Sequence, residues 1–266
     1  MILMSYNNYL KHFNKFNIGG GYYIAAKLLL FSGEWTQFDD YKNLIDILIK
    51  ATKLRLNKNL LDMADMCCGE YTWISRHFSK MSNKIYCVDK EEKALNSKLI
   101  RENKRCIAIK RDASKKIFDC SSLDFIYCGF TVHYNFIKNF ICYLRPKGAM
   151  FLMKPLDGDD FYLRSKFELY DIKKRSEEIK KITIYLNRRN LSIKTFLYKC
   201  YWIFYNPDID KILAALSIVT MGDRKLLSNK EYNFAIKFLN SRLEGHKLKL
   251  YQRWRIWEVI KNGNII

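Results

Sequence analysis

Leu60-Leu61-Asp62-Met63-Ala64-Asp65-Met66-Cys67-Cys68-Gly69-Glu70-Tyr71-Thr72-Trp73 passes from a short apolar run into a turn and then toward a helix. A run of this length bounded by a turn predicts a buried strand, Leu60–Met66, with Asp65 near its end. Gly69 is the small residue needed where backbone must come close to a ligand. The same rhythm continues downstream. Lys84–Val88 is the second strand and closes at Asp89, and Cys106–Lys110 is the third and ends in Arg111-Asp112. Leu123–Gly129 is the fourth, and Ala149–Lys154 is the fifth, preceded by the turn Arg145-Pro146-Lys147-Gly148. Thr72–Phe78, Glu91–Asn103 and Phe136–Leu144 have helical composition between them. Strands and helices alternating in this order predict an α/β core over 58–160, with a doubly wound, mostly parallel sheet.

Outward from this core the pattern changes. Residues 1–57 form an N-terminal helical arm, broken by the flexible turn Gly19-Gly20-Gly21. A short helix is expected at Tyr22–Leu30, and a second from about Asp40 to Leu54, capped by Asp39 or Asp40. Residues 161–245 read as a basic helical insertion before the last strand, and 246–266 return to strand-like sequence at Lys247–Lys261 to complete the sheet. In the insertion, Lys173, Lys174, Arg175, Lys180, Lys181, Arg188 and Arg189 lie close together, with Tyr185, Phe196, Tyr198 and Trp202 among or after them.

The chain has 266 residues, 49% of them apolar, which is enough for a sizeable core and excludes wholesale disorder. Its 47 Lys and Arg against 27 Asp and Glu give a formal net charge of +20, a surplus that favours a polyanionic partner such as nucleic acid. Part of the lysine excess is also what an AT-biased genome produces. The 8 cysteines sit mostly in apolar, strand-like runs, with no CxxC pair and no zinc-type Cys/His spacing. Buried, reduced thiols are therefore expected, with no metal. The N-terminus lacks a signal-peptide layout and no apolar run can span a bilayer, so an intracellular protein, cytoplasmic or nuclear, is expected, with no membrane partner.

In an open parallel sheet, ligands sit beyond the carboxyl ends of the strands. Asp65, Asp89 and Asp112 fall at three such ends. A carboxylate after the second strand can accept both hydroxyls of a ribose, and one after the third can accept from an adenine amino group. Asp65-Met66-Cys67-Cys68-Gly69, then Asp89, Asp112 and the Leu144-Arg145-Pro146-Lys147-Gly148 turn resemble the successive motifs of class I S-adenosylmethionine-dependent methyltransferases. The resemblance covers 58–160 and implies a Rossmann-like fold. It also implies that S-adenosyl-L-methionine is the cofactor, held by Asp65, Cys67, Gly69, Trp73, Asp89 and Asp112. The usual family turn carries three glycines, and here Cys67 and Tyr71 stand in two of those places.

Within that superfamily the segment is similar to the FtsJ-like RNA ribose 2′-O-methyltransferases, including mRNA-cap enzymes. These often have Asp-x-Cys-x-Gly followed by an aromatic residue, as Asp65, Cys67, Gly69 and Trp73 do here. The group uses a Lys-Asp-Lys-Glu tetrad, in which one lysine removes the proton of the ribose hydroxyl. The resemblance places Lys27, Lys154 and Glu258 in it as the catalytic candidates. The tetrad aspartate is absent, because Gly129 stands where it is expected. Two alternatives with RNA as the partner remain open. Cys128-Gly129-Phe130-Thr131-Val132-His133-Tyr134 looks like a segment of mRNA-cap guanine-N7 methyltransferases, which work chiefly by positioning. A degenerate, noncatalytic RNA-binding relative is the other. These three readings take RNA as the partner of the basic insertion, and a small-molecule or protein methyltransferase whose positive charge is incidental, with weak and salt-insensitive RNA binding, is the alternative outside them.

Overall fold

The computed structural model describes residues 2–18, 21–37, 48–50, 61–69, 75–129, 132–167, 172–219 and 226–263. In chain order its elements begin with helices α1 (Ile2–Asn17) and α2 (Gly21–Ser32) and strands β1 (Gly33–Gln37) and β2 (Leu61–Met66). There follow α3 (Ser75–Phe78), β3 (Ser82–Asp89), α4 (Glu92–Leu95), α5 (Lys98–Glu102), β4 (Cys106–Lys110) and β5 (Leu123–Gly129). Next come α6 (Tyr134–Tyr143), β6 (Leu144–Gly158), α7 (Asp159–Lys166), α8 (Ile172–Asn187) and β7 (Leu191–Tyr205). The chain ends with α9 (Ile209–Val219), α10 (Asn229–Asn240), β8 (Leu243–Glu244) and β9 (Lys247–Lys261). These elements fall into two compact units, one of Met1–Asp40, Leu156–Lys173 and Lys199–Arg253, the other of Tyr41–Pro155, Lys174–Tyr198 and Trp254–Ile266.

The second unit contains β2, β3, β4 and β5 with parts of β6, β7 and β9, and the strand order is β7-β9-β6-β5-β2-β3-β4. The pairs β2·β3, β2·β5, β3·β4 and β5·β6 are all parallel. β5 is buried at every position, as expected for a strand covered on both faces. Register places Asp65 opposite both Cys87 and Tyr127, so these three side chains share one face. Helix α3 lies on that face, where Phe78 stacks on Phe125 at 5.1 Å. On the opposite face Tyr86 meets Phe118, which in turn meets Tyr143 of α6. Helix α8 buries Ile179, Ile182 and Leu186, a single helical stripe.

At the amino ends of the central strands, Arg145 replaces a free turn with a set of ion pairs. Its guanidinium bonds Asp124 at 2.8 Å and Asp62 at 3.2 Å, tying β6 to β5 and β2. The strand β6 runs through this segment with Lys147 in a left-handed conformation (φ 66). Gly148 is required there, because a Cβ would lie 2.9 Å from the Arg145 carbonyl oxygen.

The first unit is built on apolar helices. Tyr9, Phe13 and Phe16 of α1 join Ala25 and Leu29 of α2 and Leu213 and Leu216 of α9 in one core. Ile212–Ile218 is buried without a break, which marks α9 as a helix surrounded on all sides. The phenol of Tyr9 is satisfied inside this core: it donates to Ser217 Oγ and accepts the Leu227 amide. A capping box between Ser228 and Glu231 starts α10. β1 pairs antiparallel with β7, and β8 pairs antiparallel with β9.

Two expectations are corrected. The stretch after Asn190 is not helical, for β7 occupies Leu191–Tyr205. Its β-branched and aromatic residues at alternating positions outweigh the interspersed lysines. The cysteines are not all reduced, because Cys120 and Cys142 form a disulfide. The turn before β5 is held against the end of α6 by bonds from the Ser121 and Ser122 amides to the Cys142 and Tyr143 carbonyls, which brings the two Cα atoms to 4.7 Å. The expected helix Asp40–Leu54 lies largely outside the described residues; its described part, 48–50, is helical. Among the described residues no helix is long and apolar enough to cross a membrane.

Candidate functional site

The turn after β2 is shaped by two left-handed residues, Cys67 (φ 56) and Gly69 (φ 63). Glycine adopts this conformation without penalty, whereas Cys67 adopts it against its own preference. The turn is fixed to the neighbouring strand from both sides. The Cys68 amide donates to the Val88 carbonyl at 3.0 Å, and the Gly69 amide donates to Asp89 Oδ2 at 3.0 Å. The other oxygen of Asp89 accepts the Glu91 amide at 3.0 Å. A carboxylate has about four lone-pair positions, so this one, only partly buried, keeps acceptor capacity on both oxygens. A Cβ built on Gly69 meets nothing within 4 Å among the described residues.

Asp65 and Asp112 take different roles. Asp65 is 2% exposed and accepts the Ser75 hydroxyl at 2.6 Å, which ties the start of α3 to the end of β2. Burial raises its carboxyl pKa to about 7. It therefore braces the turn from below. Asp112 is exposed beyond β4 and accepts the Ser114 amide at 2.8 Å, which holds its carboxyl below the usual range. Trp73, with Glu70 and Tyr71, lies outside the described residues. Among the described residues no group of three or more His, Cys, Asp or Glu is placed to hold a metal.

Lys154 lies near the carboxyl end of β6 with its side chain 9% exposed. Its ammonium donates to the Val132 carbonyl at 2.7 Å and pairs with Glu178 Oε2 at 2.6 Å. Burial holds Lys154 below the usual lysine range, with Glu178 acting in the opposite direction. Glu178 Oε1 is 3.6 Å from His133 Nε2, and this imidazole is 49% exposed. His133 Nδ1 accepts the Asn135 amide at 3.2 Å and so caps α6. The neutral ring consequently carries its proton on Nε2, facing Glu178.

Sequence reasoning missed Glu178. In the sequence it only interrupts a basic run, and nothing in its spacing links it to Lys154.

Two further candidates complete the expected set. Glu258 is 4% exposed in β9. Its neighbour Trp257 bonds Thr183 of α8, so strand alternation turns Glu258 to the face away from α8, while Lys154 reaches toward α8. Lys27 is exposed on α2, in the other compact unit. Gly129 has a local explanation. A Cβ there would lie 2.3 Å from Tyr127 Oη, so the tyrosine ring fills the place an acid would take. Tyr127 Oη is buried and has no hydrogen-bond partner among the described residues.

The basic residues Lys180, Lys181, Arg188 and Arg189 are exposed on α8 and just after it. Arg189 lies over the Tyr185 ring at 4.8 Å, and Tyr134 meets the same ring edge-on at 5.1 Å. Arg175 is partly buried, and Lys173 and Lys174 belong to α8 with their side chains outside the description.

No family model and no curated protein matches the chain. Solved structures do. The YcgJ protein from Bacillus subtilis is 13% identical over 83% of this chain and 98% of its own, with a TM-score of 0.58. A candidate methyltransferase from Bacillus halodurans is 14% identical over 82% of this chain and 99% of its own, at 0.57. The [4+2]-cyclase SpnF is 11% identical over 91% of this chain and 94% of its own, at 0.53. At these identities the likeness shows the fold alone, a Rossmann-like α/β fold shared with the candidate methyltransferase and the cyclase. A cyclase among the neighbours means that the activity must be argued from the site.

Proposed function

We propose that this chain is a methyltransferase that uses S-adenosyl-L-methionine and acts on RNA, with a ribose 2′-oxygen as the acceptor. The observation that carries the cofactor is the bond from the Gly69 amide to Asp89, at the carboxyl ends of adjacent central strands. The residues present fit an adenosyl group. Asp89 has acceptor capacity left for a ribose diol, Asp112 is exposed beyond the next strand, and nothing among the described residues fills the space over Gly69. When bound, the cofactor supplies a methyl group on a positively charged sulfur.

The remaining chemistry belongs to the chain. Lys154, in its neutral form, accepts the proton of the acceptor hydroxyl as that oxygen bonds the methyl carbon. The Val132 carbonyl and Glu178 hold two of its N–H groups, which aims the nitrogen lone pair. Burial favours the neutral form by lowering the lysine pKa. The RNA partner is supported by the net charge of +20 and by the exposed Lys180, Lys181, Arg188 and Arg189 beside Tyr185.

One observation favours guanine N7 as a second reading. His133 Nδ1 is taken up by the Asn135 amide, and Gly129 brings no acid, which suits transfer by positioning alone. Methyl-labelled cofactor incubated with capped and uncapped RNA, followed by nucleoside analysis, separates the two. Label in a 2′-O-methylated nucleoside supports the first, and label in 7-methylguanosine supports the second. Cofactor binding without label in any RNA overturns both.

A further inference from the structure

The ribose reading leaves a gap, because its acid after β5 is absent and Gly129 stands in its place. The structure also closes that route sterically. The Tyr127 ring occupies the space over Gly129, with Oη 2.3 Å and Cζ 2.9 Å from where a Cβ would be. A carboxylate does approach Lys154, from a different element. We propose that Glu178 of α8 is the acid of the acceptor site, a positioning residue that aims Lys154 Nζ in place of a side chain on β5. The inference rests on the reading of Lys154 as the proton acceptor.

The geometry of Nζ carries it. A neutral lysine amine has two N–H groups and one lone pair. The Val132 carbonyl at 2.7 Å and Glu178 Oε2 at 2.6 Å are fixed acceptors for the two N–H groups. The lone pair is then left in one defined direction, and a proton leaving an acceptor hydroxyl has one place to go. The second oxygen of Glu178 lies 3.6 Å from His133 Nε2, beyond hydrogen-bond distance, beside an imidazole that the Asn135 amide fixes. Its helix is anchored by the buried Ile179 and Ile182 beside it. The cluster is thus a chain of three, His133, Glu178 and Lys154, running from a half-exposed ring to a buried amine.

The groups that act on Lys154 are Glu178 and Arg175 from α8 and Cys128 from β5, with His133 reaching it through Glu178. Glu178 favours the charged amine, and Arg175 disfavours it. Removing the charge of Glu178 while keeping its shape therefore lowers the pH at which Lys154 becomes neutral.

The test is a pH titration of the lysine Cε carbon-13 resonance of Lys154, assigned with K154R, in the full chain without substrate. In E178Q the midpoint is expected to fall by about one pH unit or more, the scale of a single opposite charge at this distance. E178D restores it toward the wild-type value. E177Q, the same charge change on an exposed neighbour, leaves it in place. In enzyme assays the acidic limb of the pH–rate profile of E178Q shifts by the same amount as the midpoint. An unchanged midpoint in E178Q, or an equal shift in E177Q, overturns the proposal. The titration needs no acceptor, so a wild-type chain that methylates no RNA overturns the ribose reading alone, while the midpoint still decides what Glu178 does to Lys154.

Discussion

The Gly69 amide donates to the Asp89 carboxylate at 3.0 Å, joining the turn after β2 to the end of β3. The same carboxylate holds the Glu91 amide, so one side chain organises both edges of the proposed cofactor cleft. D89A removes both acceptors and the proposed ribose partner together. Hydrogen bonds to a charged group contribute about 1.5–3 kcal/mol each, so affinity for S-adenosylhomocysteine is expected to fall by at least about tenfold. Isothermal calorimetry on the variant and the wild type measures this, and equal affinities would count against the proposed cleft.

Gly69 differs from Gly148 in what it requires. Its left-handed φ of 63 disfavours a side chain, yet a Cβ would touch nothing within 4 Å among the described residues. G69A is therefore expected to cost only the backbone term, about 1–2 kcal/mol in urea unfolding. A loss several times larger would mean that the space over the turn is filled.

Tyr127 and Gly129 form a steric pair. G129A forces a Cβ against Tyr127 Oη and should destabilise the chain by about 1–3 kcal/mol. Y127F deletes a buried hydroxyl that has no partner among the described residues, and it is expected to be neutral or stabilising. In the double variant the two effects should not add, because Oη is the nearest atom to the new methyl. Additive values in denaturant unfolding would contradict the pairing.

Asp65 makes stability depend on pH in a defined direction. Its carboxyl is raised from 3.8 to about 7 by burial, so the folded chain binds its proton more tightly than the unfolded one. This contribution is complete below pH 3.8 and is lost as pH rises toward about 7. The slope is at most about 1.4 kcal/mol per pH unit, and D65N abolishes it. Urea midpoints of wild type and D65N between pH 4 and pH 7, on the order of the window just given, would run parallel if Asp65 were not the cause.

Much of the sheet was legible because its strands are short apolar runs closed by turns. Cys106–Lys110, Leu123–Gly129 and Lys247–Lys261 begin and end where hydrophobic patterning places them. β7 was not, because lysines spaced through Leu191–Tyr205 blur an alternation that only strand pairing makes decisive. The acidic residues at strand ends were legible as a set, since position on a strand determines which end of the sheet they reach. What each carboxylate does there was not. The depth that turns Asp65 inward to Ser75 comes from packing of α3, a tertiary effect. Glu178 was hidden for the same reason, being separated from Lys154 along the chain and joined to it only by the packing of α8. The Cys120–Cys142 bridge depends on how the turn before β5 docks on α6, which no spacing rule reports.

The most direct test of the central claim is transfer of a labelled methyl group from S-adenosyl-L-methionine to capped RNA, with digestion to nucleosides. The account predicts label in a 2′-O-methylated nucleoside with the wild-type chain. With K154A it predicts loss of that label while cofactor affinity stays unchanged. Undiminished 2′-O label with K154A, or cofactor bound with no label entering RNA, would contradict it.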